Sequence, residues 1–451
     1  MGSIRLRFLV IILCYVLLMG SAPVKGTIHT VQRGETLAGI VDMYLPYTAA
    51  YTKKELFGGI KEINGITGDV RPGQALTIPI VRNRPLEPEA VARPSGFAAK
   101  GLYMTAISAG SRFIFDSAEH LIESGGNTLV FDAKDDMGLI TYESTVAETY
   151  ALEERYPPNI PELPKMIESL HSMGIHVVAR VVVFKDRIMS QSRPQWCMDS
   201  ASGWLDPANP EVQAYLLAII EELAFSGVDE IQLDYIRYYS DRKTTTGIEG
   251  VSRTEVIAGF IEKAHEITRP NGILLSVDIF GIMIWQRDVD VLVIGQDINM
   301  IKPHVEIISP MIYPSHFSAG FDGVDNPADN PYRFVFKGIK KMKELVGDDV
   351  IIRPWLQSFP LRITTGFNPE YIRSQIQASK DAGGTGWLLW SPGNHYRKAY
   401  AAMKVPQEQL QDEEETVLPQ ENADPEQPGK PAEALSVGRM DDTGYNPDSI
   451  L

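Results

Sequence analysis

The sequence is poor in cysteine. Only Cys14 and Cys197 occur among 451 residues, too few for a disulfide-stapled scaffold or a cysteine-built zinc site. It is also short of positive charge, with 42 Lys and Arg against 58 Asp and Glu and a net charge of −16. A nucleic-acid binder must neutralise phosphates, so that class is excluded. Recognisable cofactor and nucleophile motifs are missing too. There is no HExxH, no GxSxG, no GxGxxG and no GxxxxGK[ST], and the eight histidines are scattered. Neither a metal nor a cofactor is therefore expected. What remains is ordinary globular composition, 44% hydrophobic, 22% charged and 9% aromatic, in a chain long enough for one large domain with accessories.

The two ends read as appendages. Arg5 and Arg7 precede an apolar run, Phe8–Met19, of twelve residues. A bilayer-spanning helix needs about 20, so the run suits a secretory signal over residues 1–26. Pro23 disfavours a cut after Ala22 and leaves Gly26 as an alternative. An uncleaved segment would instead be a membrane anchor. Either way the body is expected to be exported to the periplasm or cell envelope. Cys197 is then the one thiol left and reads as a packing residue. Residues 405–451 hold twelve acidic and two basic residues, a net −10 of the chain's −16. With few apolar residues to offset chain entropy, this tail is expected to be disordered.

Residues 27–81 form a separate module. A short strand at Ile28–Val31 leads to a turn at Gly34. Thr36 can cap a helix carrying Leu37, Ile40 and Val41, and a second helix runs to Ile63. Pro72-Gly73 marks a turn before the strand Leu76–Ile78. The opening Gly34-Glu35-Thr36 and the closing Asn64-Gly65-Ile66 and Pro72-Gly73 resemble the LysM module. The stretch Tyr44–Gly59 departs from that pattern as an insertion. The resemblance implies binding of N-acetylglucosamine-containing glycans such as peptidoglycan, in a groove beside Gly34–Thr36 and Asn64–Ile66. Residues 82–98, rich in proline, read as a semi-stiff linker.

From residue 99 to 404 the chain alternates. Strand candidates are Gly101–Ile107, Thr128–Ala133, His176–Phe184, Glu230–Tyr235, Ile273–Phe280, Glu306–Tyr313, Val350–Gln357 and Gly386–Trp390. Helical stretches such as Pro161–Met173, Pro210–Phe225 and Arg253–Ile267 lie between them. The strands are nearly continuously apolar, as in Val177–Val183, which marks a parallel sheet covered on both faces. Eight βα units predict a (β/α)8 TIM barrel, preceded by the small α+β module. An open doubly wound sheet would normally carry a phosphate loop after its first strand.

In such a barrel chemistry belongs at the C-terminal strand ends. Asp234 and Asp278 fall there on the fourth and fifth strands. Neighbouring strands are about 4.8 Å apart, which suits the paired carboxyls of glycoside hydrolysis. One would attack or activate water and the other would donate a proton. The bland reading pairs each with Arg180, Arg237 or Arg353. Candidate sugar-binding residues at the same ends are Asp132, Lys134, Asp135, Tyr235, Arg237, Tyr313, His316, Trp355, Gln357 and Trp390. Glu230 and Glu306 begin their strands, at the stability end, and are set aside.

The segments Asp132–Gly138, Gln232–Tyr238, Ser276–Gly281 and Ser309–His316 together resemble a bacterial glycosyl hydrolase family of TIM barrels related to α-amylase-like enzymes. The resemblance implies that Asp234 is the nucleophile and Asp278 the acid, although amylase-like relatives carry Glu at the second position. It implies a polysaccharide substrate. That departure supports an alternative, a non-catalytic glycan-binding or envelope-scaffold protein on a degenerate barrel.

Overall fold

Lys100–Met104 (β1), Thr128–Lys134 (β2), His176–Val182 (β3), Glu230–Asp234 (β4), Leu274–Ile279 (β5), Ile307–Ile312 (β6), Trp355–Gln357 (β7) and Trp387–Trp390 (β8) pair in sequence order, all in parallel. The pairing of β8 with β1 at Leu388 and Gly101 closes the ring into a barrel. The computed structural model describes residues 26–94, 96–150, 156–199, 203–240 and 250–404. The acidic tail and all but residue 26 of the expected export signal lie outside them.

The strands fall where the apolar runs predicted them, with differences at the ends that have local causes. The first stops at Met104 because Thr105 caps a short helix, accepting from the Ser108 amide. The seventh is divided, Ile351–Ile352 pairing with β6 before Arg353 and Pro354 interrupt. Proline has no amide hydrogen to give to a ladder. Inside the ring a separate apolar cluster of Tyr103, Val130, Val178, Tyr313, Trp355, Leu388 and Trp390 fills the lumen. The larger core lies between the sheet and its helices.

The N-terminal module has the expected strand–helix–helix–strand order. Thr27–Thr30 pairs antiparallel with Ala75–Ile78. Thr36 caps Leu37–Tyr44 by accepting from the Gly39 amide, and Thr52 with Glu55 forms a capping box for Lys53–Asn64. Leu37, Ile40, Leu56, Ile60, Leu76 and Ile78 make its own small core.

The stretch Tyr44–Gly59, which breaks the LysM-like pattern, docks the module on the barrel. The Tyr51 hydroxyl donates to the Ala109 carbonyl at 2.6 Å and its ring meets Phe115 edge-on at 5.0 Å. The buried Lys165 ammonium donates to the Ala50 carbonyl at 2.6 Å and also to that of Leu45. Burial brings the Lys165 pKa down to about 8. Ala109 follows β1, and Lys165 lies in the first turn of the helix Leu163–Ser172 that follows β2. The module is thus seated on the rim formed by the C-terminal strand ends. Hydrogen bonds from a charged donor are worth about 1.5–3 kcal/mol each. Lys165→Met is therefore expected to split a single cooperative thermal transition in two, read by calorimetry. One unchanged transition would show that the docking is not held there.

Residues 82–94, within the stretch read as a semi-stiff linker, form a strap against the barrel. The Val91 amide donates to Asp229 Oδ1 at 2.7 Å, and Arg93 pairs with Glu230 at 2.9 Å. Gly227, at φ +91°, leaves Pro88 room that a Cβ would take, since its carbonyl oxygen would lie 2.3 Å from that atom. The strap therefore runs from the rim to the opposite, N-terminal end of the barrel. There Glu230, fully buried, accepts from Arg353, Arg93 and Ser276. Burial works to raise the Glu230 pKa, but the Arg353 charge and hydrogen bonds win and hold it at about 2. The stability this group contributes is complete above the ordinary carboxylate range and lost as pH falls toward 2. Glu306 likewise pairs with His265 at 2.9 Å at the same end. Setting both glutamates apart from catalysis agrees with these partners.

Candidate active site

Register alone brings the two aspartates together. Leu233 on β4 pairs with Val277 on β5, so the next residues, Asp234 and Asp278, stand side by side on adjacent strands. Both are buried, with 4% and 1% of their surface exposed. Asp278 pairs in turn with Ser309 on β6.

Their surroundings differ. Arg180, on β3, donates to Asp234 Oδ2 through Nε at 3.0 Å and Nη2 at 2.6 Å. Asp234 Oδ1 accepts from the Tyr235 amide at 2.6 Å. The third Arg180 donor goes to Asp132 Oδ1 on β2 at 2.5 Å. Asp132 Oδ2 accepts from the Tyr103 hydroxyl, also at 2.5 Å. The Tyr103 ring stacks on Trp390 at 3.8 Å, and the Arg180 guanidinium lies 5.0 Å from the Trp390 ring centre. Among the described residues Asp278 forms no ion pair. Its Oδ1 accepts from the Trp355 indole N–H at 2.8 Å. Its Oδ2 is buried and has no hydrogen-bond partner among the described residues.

Burial, and then the negative charge of Asp234, push the Asp278 carboxyl well above the ordinary range. Arg180, the indole N–H and Arg353 oppose that shift without cancelling it. One carboxylate is thus salt-bridged while its neighbour is biased toward its protonated form. That division is what a base-and-acid pair requires.

The remaining sequence candidates, Tyr235 apart, divide into two groups. Asp132, Tyr313 and Trp390 belong to the lumen cluster or its polar rim. Tyr313 meets His316 edge-on at 5.2 Å and Phe359 at 5.7 Å. His316 is half-buried, and burial with the nearby Arg362 charge lowers its pKa to about 4. It is therefore neutral at pH 7 and available only as a hydrogen-bonding ring.

Five candidates are committed elsewhere. Lys134 is fully buried, pairs with Asp186 at 3.0 Å and donates to the Val182 carbonyl. A register shift between Asp132 and Lys134 breaks the alternation that would have aimed it into the lumen. Asp135 closes a turn by accepting from the Met137 and Leu139 amides, and burial raises its pKa to about 6. Arg237 is buried over the Trp204, Phe280 and Tyr235 rings. Gln357 is spent on the Ser315 amide and the Phe359 carbonyl, fixing the loops that carry His316 and Phe359. Trp355, 1% exposed, donates its indole N–H to Asp278.

Tyr235 has a different part. At φ 49° it bends the chain directly after Asp234, and its ring lies 4.9 Å from the Lys185 ammonium. Sequence reasoning missed Tyr103 and Phe359 and treated Arg180 only as a rim cation. The available signal for Tyr103 was its place two residues after Gly101 in β1, the alternate position that shares a face with it.

In the module, the polar groups of the expected glycan loops hold the fold. Glu35 accepts from the Gln32 amide at 2.6 Å and pairs with His29 at 2.9 Å. Asn64 clamps Thr77, donating to its carbonyl and accepting from its amide.

A family model described as "Putative glycosyl hydrolase domain" matches residues 101–396. No curated protein matches the chain. Among solved structures, a hypothetical protein from Ruminiclostridium thermocellum ATCC 27405 is 30% identical, over 39% of this chain and 96% of that one, with a TM-score of 0.36. The PgaB (BpsB) glycoside hydrolase domain from Bordetella bronchiseptica is 12% identical, over 69% of this chain and 100% of that one, with a TM-score of 0.52. A beta-galactosidase from the psychrophilic Marinomonas ef1 is 11% identical, over 71% and 60% of the two chains, with a TM-score of 0.51. At such identities the last two share the barrel fold with this chain and nothing finer.

Proposed function

The chain belongs to this glycosyl hydrolase family, and from that premise we propose that it is an exported enzyme cleaving a cell-envelope or extracellular polysaccharide with two carboxyl groups. Asp278 is the general acid. Asp234 is the nucleophile or the base that activates water. The observation that carries this reading is the contrast between the two neighbours, one ion-paired with Arg180 and the other held only by an indole N–H, with burial and its neighbour's charge pushing its pKa up. Asp132, Tyr313, His316 and Trp390 contact the sugar. No cofactor takes part.

Residues 1–26 act as the export signal and 27–81 as a LysM-type module for peptidoglycan or another N-acetylglucosamine glycan. Residues 99–404 form the catalytic domain, followed by the acidic tail 405–451. The protein works in the periplasm or cell envelope and touches the membrane only if the signal stays uncleaved.

The test is release of reducing ends by the purified protein from a panel of envelope and extracellular glycans. Release from at least one glycan is expected. Tight binding without release would favour the scaffold reading. That second reading has its own support, because both Asp234 oxygens are already engaged and Asp278 is 1% exposed.

A further inference from the structure

The indole of Trp355 is the group that touches the acid, and its chemistry is one-sided. An indole N–H donates and cannot accept. Oδ1 of Asp278, at 2.8 Å from it, must therefore be an acceptor. The second oxygen, buried and without a partner among the described residues, is left to carry the hydrogen. We infer that Trp355 is a positioning residue that assigns the Asp278 proton to Oδ2 and so fixes the oxygen from which it is delivered. The inference rests on the reading of Asp278 as the acid.

In the step that follows, the proton leaves Oδ2 for the glycosidic oxygen. The bond from the anomeric carbon to that oxygen breaks and its electron pair stays with the departing sugar. The anomeric carbon takes its new electron pair from Asp234, or from water that gives a proton to Asp234. Oδ1 remains an acceptor throughout, now sharing the carboxylate charge with the indole N–H.

The charged and titratable groups facing Asp278 come from four strands. They are Asp234 on β4, Arg180 on β3, Arg353 beside β7 and Tyr313 after β6. None of them is itself replaced when Trp355 is changed, although the Trp355 ring also meets Trp390 edge-on at 5.6 Å. The indole hydrogen bond favours the ionised acid, and losing it must move the Asp278 titration upward.

Trp355→Phe keeps a ring and removes the donor. The expected result is an alkaline limb of the kcat profile moved up by about one pH unit, a several-fold lower kcat and a KM within twofold of the parent. A raised KM with an unmoved profile would instead make Trp355 a sugar platform and overturn the inference. Benzothienylalanine at position 355, which replaces N–H by sulfur at nearly the same shape, serves where the Phe variant folds poorly. Infrared titration of the Asp278 carboxyl, identified by its loss in Asp278→Asn, needs no substrate. An unmoved carboxyl titration in either variant overturns the inference. A moved titration in a protein that releases no sugar would retain the positioning and defeat the enzymatic reading alone.

Discussion

Asp278→Asn is expected to lower glycan hydrolysis by about 10²–10⁴-fold, the usual contribution of a positioned general acid. The change preserves shape, and burial already biases the lost group toward its neutral form. Folding should be close to normal, and the loss should fall mainly on kcat. The parent enzyme should itself lose activity as pH rises through the raised Asp278 pKa, because the acid must hold its proton. In Asp278→Asn that alkaline limb should disappear. Asp234→Asn should lose at least as much activity, and it also removes the charge that helps keep Asp278 protonated. Steady-state rates from pH 4 to 10 on one cleaved glycan decide the matter. Full activity in Asp278→Asn would remove Asp278 from the mechanism.

Arg180→Met is expected to be the most destabilising single change at the barrel mouth. The guanidinium satisfies Asp132 and Asp234 together, and all three side chains are nearly buried. Removing one partner of a buried ion pair costs about 3–5 kcal/mol, because the other charge stays behind without compensation. For a domain of this size that lowers Tm by roughly 10 °C. The diagnostic feature is partial rescue. Arg180→Met combined with Asp132→Asn and Asp234→Asn should be more stable than Arg180→Met alone, since no stranded charge remains. Thermal denaturation of the two variants is sufficient. Equal Tm values would mean that the stranded charges are not the source of the loss.

The barrel was legible because burial on both faces leaves a nearly continuous apolar signature, as in Val177–Val183, and the site because β4 and β5 each carry one aspartate at or next to the C-terminal end. Register then needed only the alternation of side chains. Arg180 was one of three arginines offered as a partner of Asp234, but it lies 54 residues away and nothing local singled it out. The Trp355 N–H that holds Asp278 was not legible. Lys134 misled for a specific reason. A register shift after Asp132 reverses the facing that simple alternation assigns. Trp355 misled differently, since an aromatic at a strand end reads the same whether its face meets a sugar or its N–H meets a carboxyl. Proline content signalled the stiffness of the strap and says nothing of what the segment lies against. The module's order was readable from its caps, Thr36 and the Thr52–Glu55 pair, while the docking role of Tyr44–Gly59 depends on Lys165, a residue 115 positions beyond Ala50.

The strap also decides where this polypeptide can be divided. The family match begins at residue 101, and a fragment started there would lack Val91 and Arg93. Asp229 would lose a backbone donor and Glu230 one of its cations at the floor of the barrel. A workable catalytic fragment must start before Pro88. Exchange of the front portion between proteins would likewise have to carry these residues along, so the inheritable unit is larger than the segment that sequence similarity outlines.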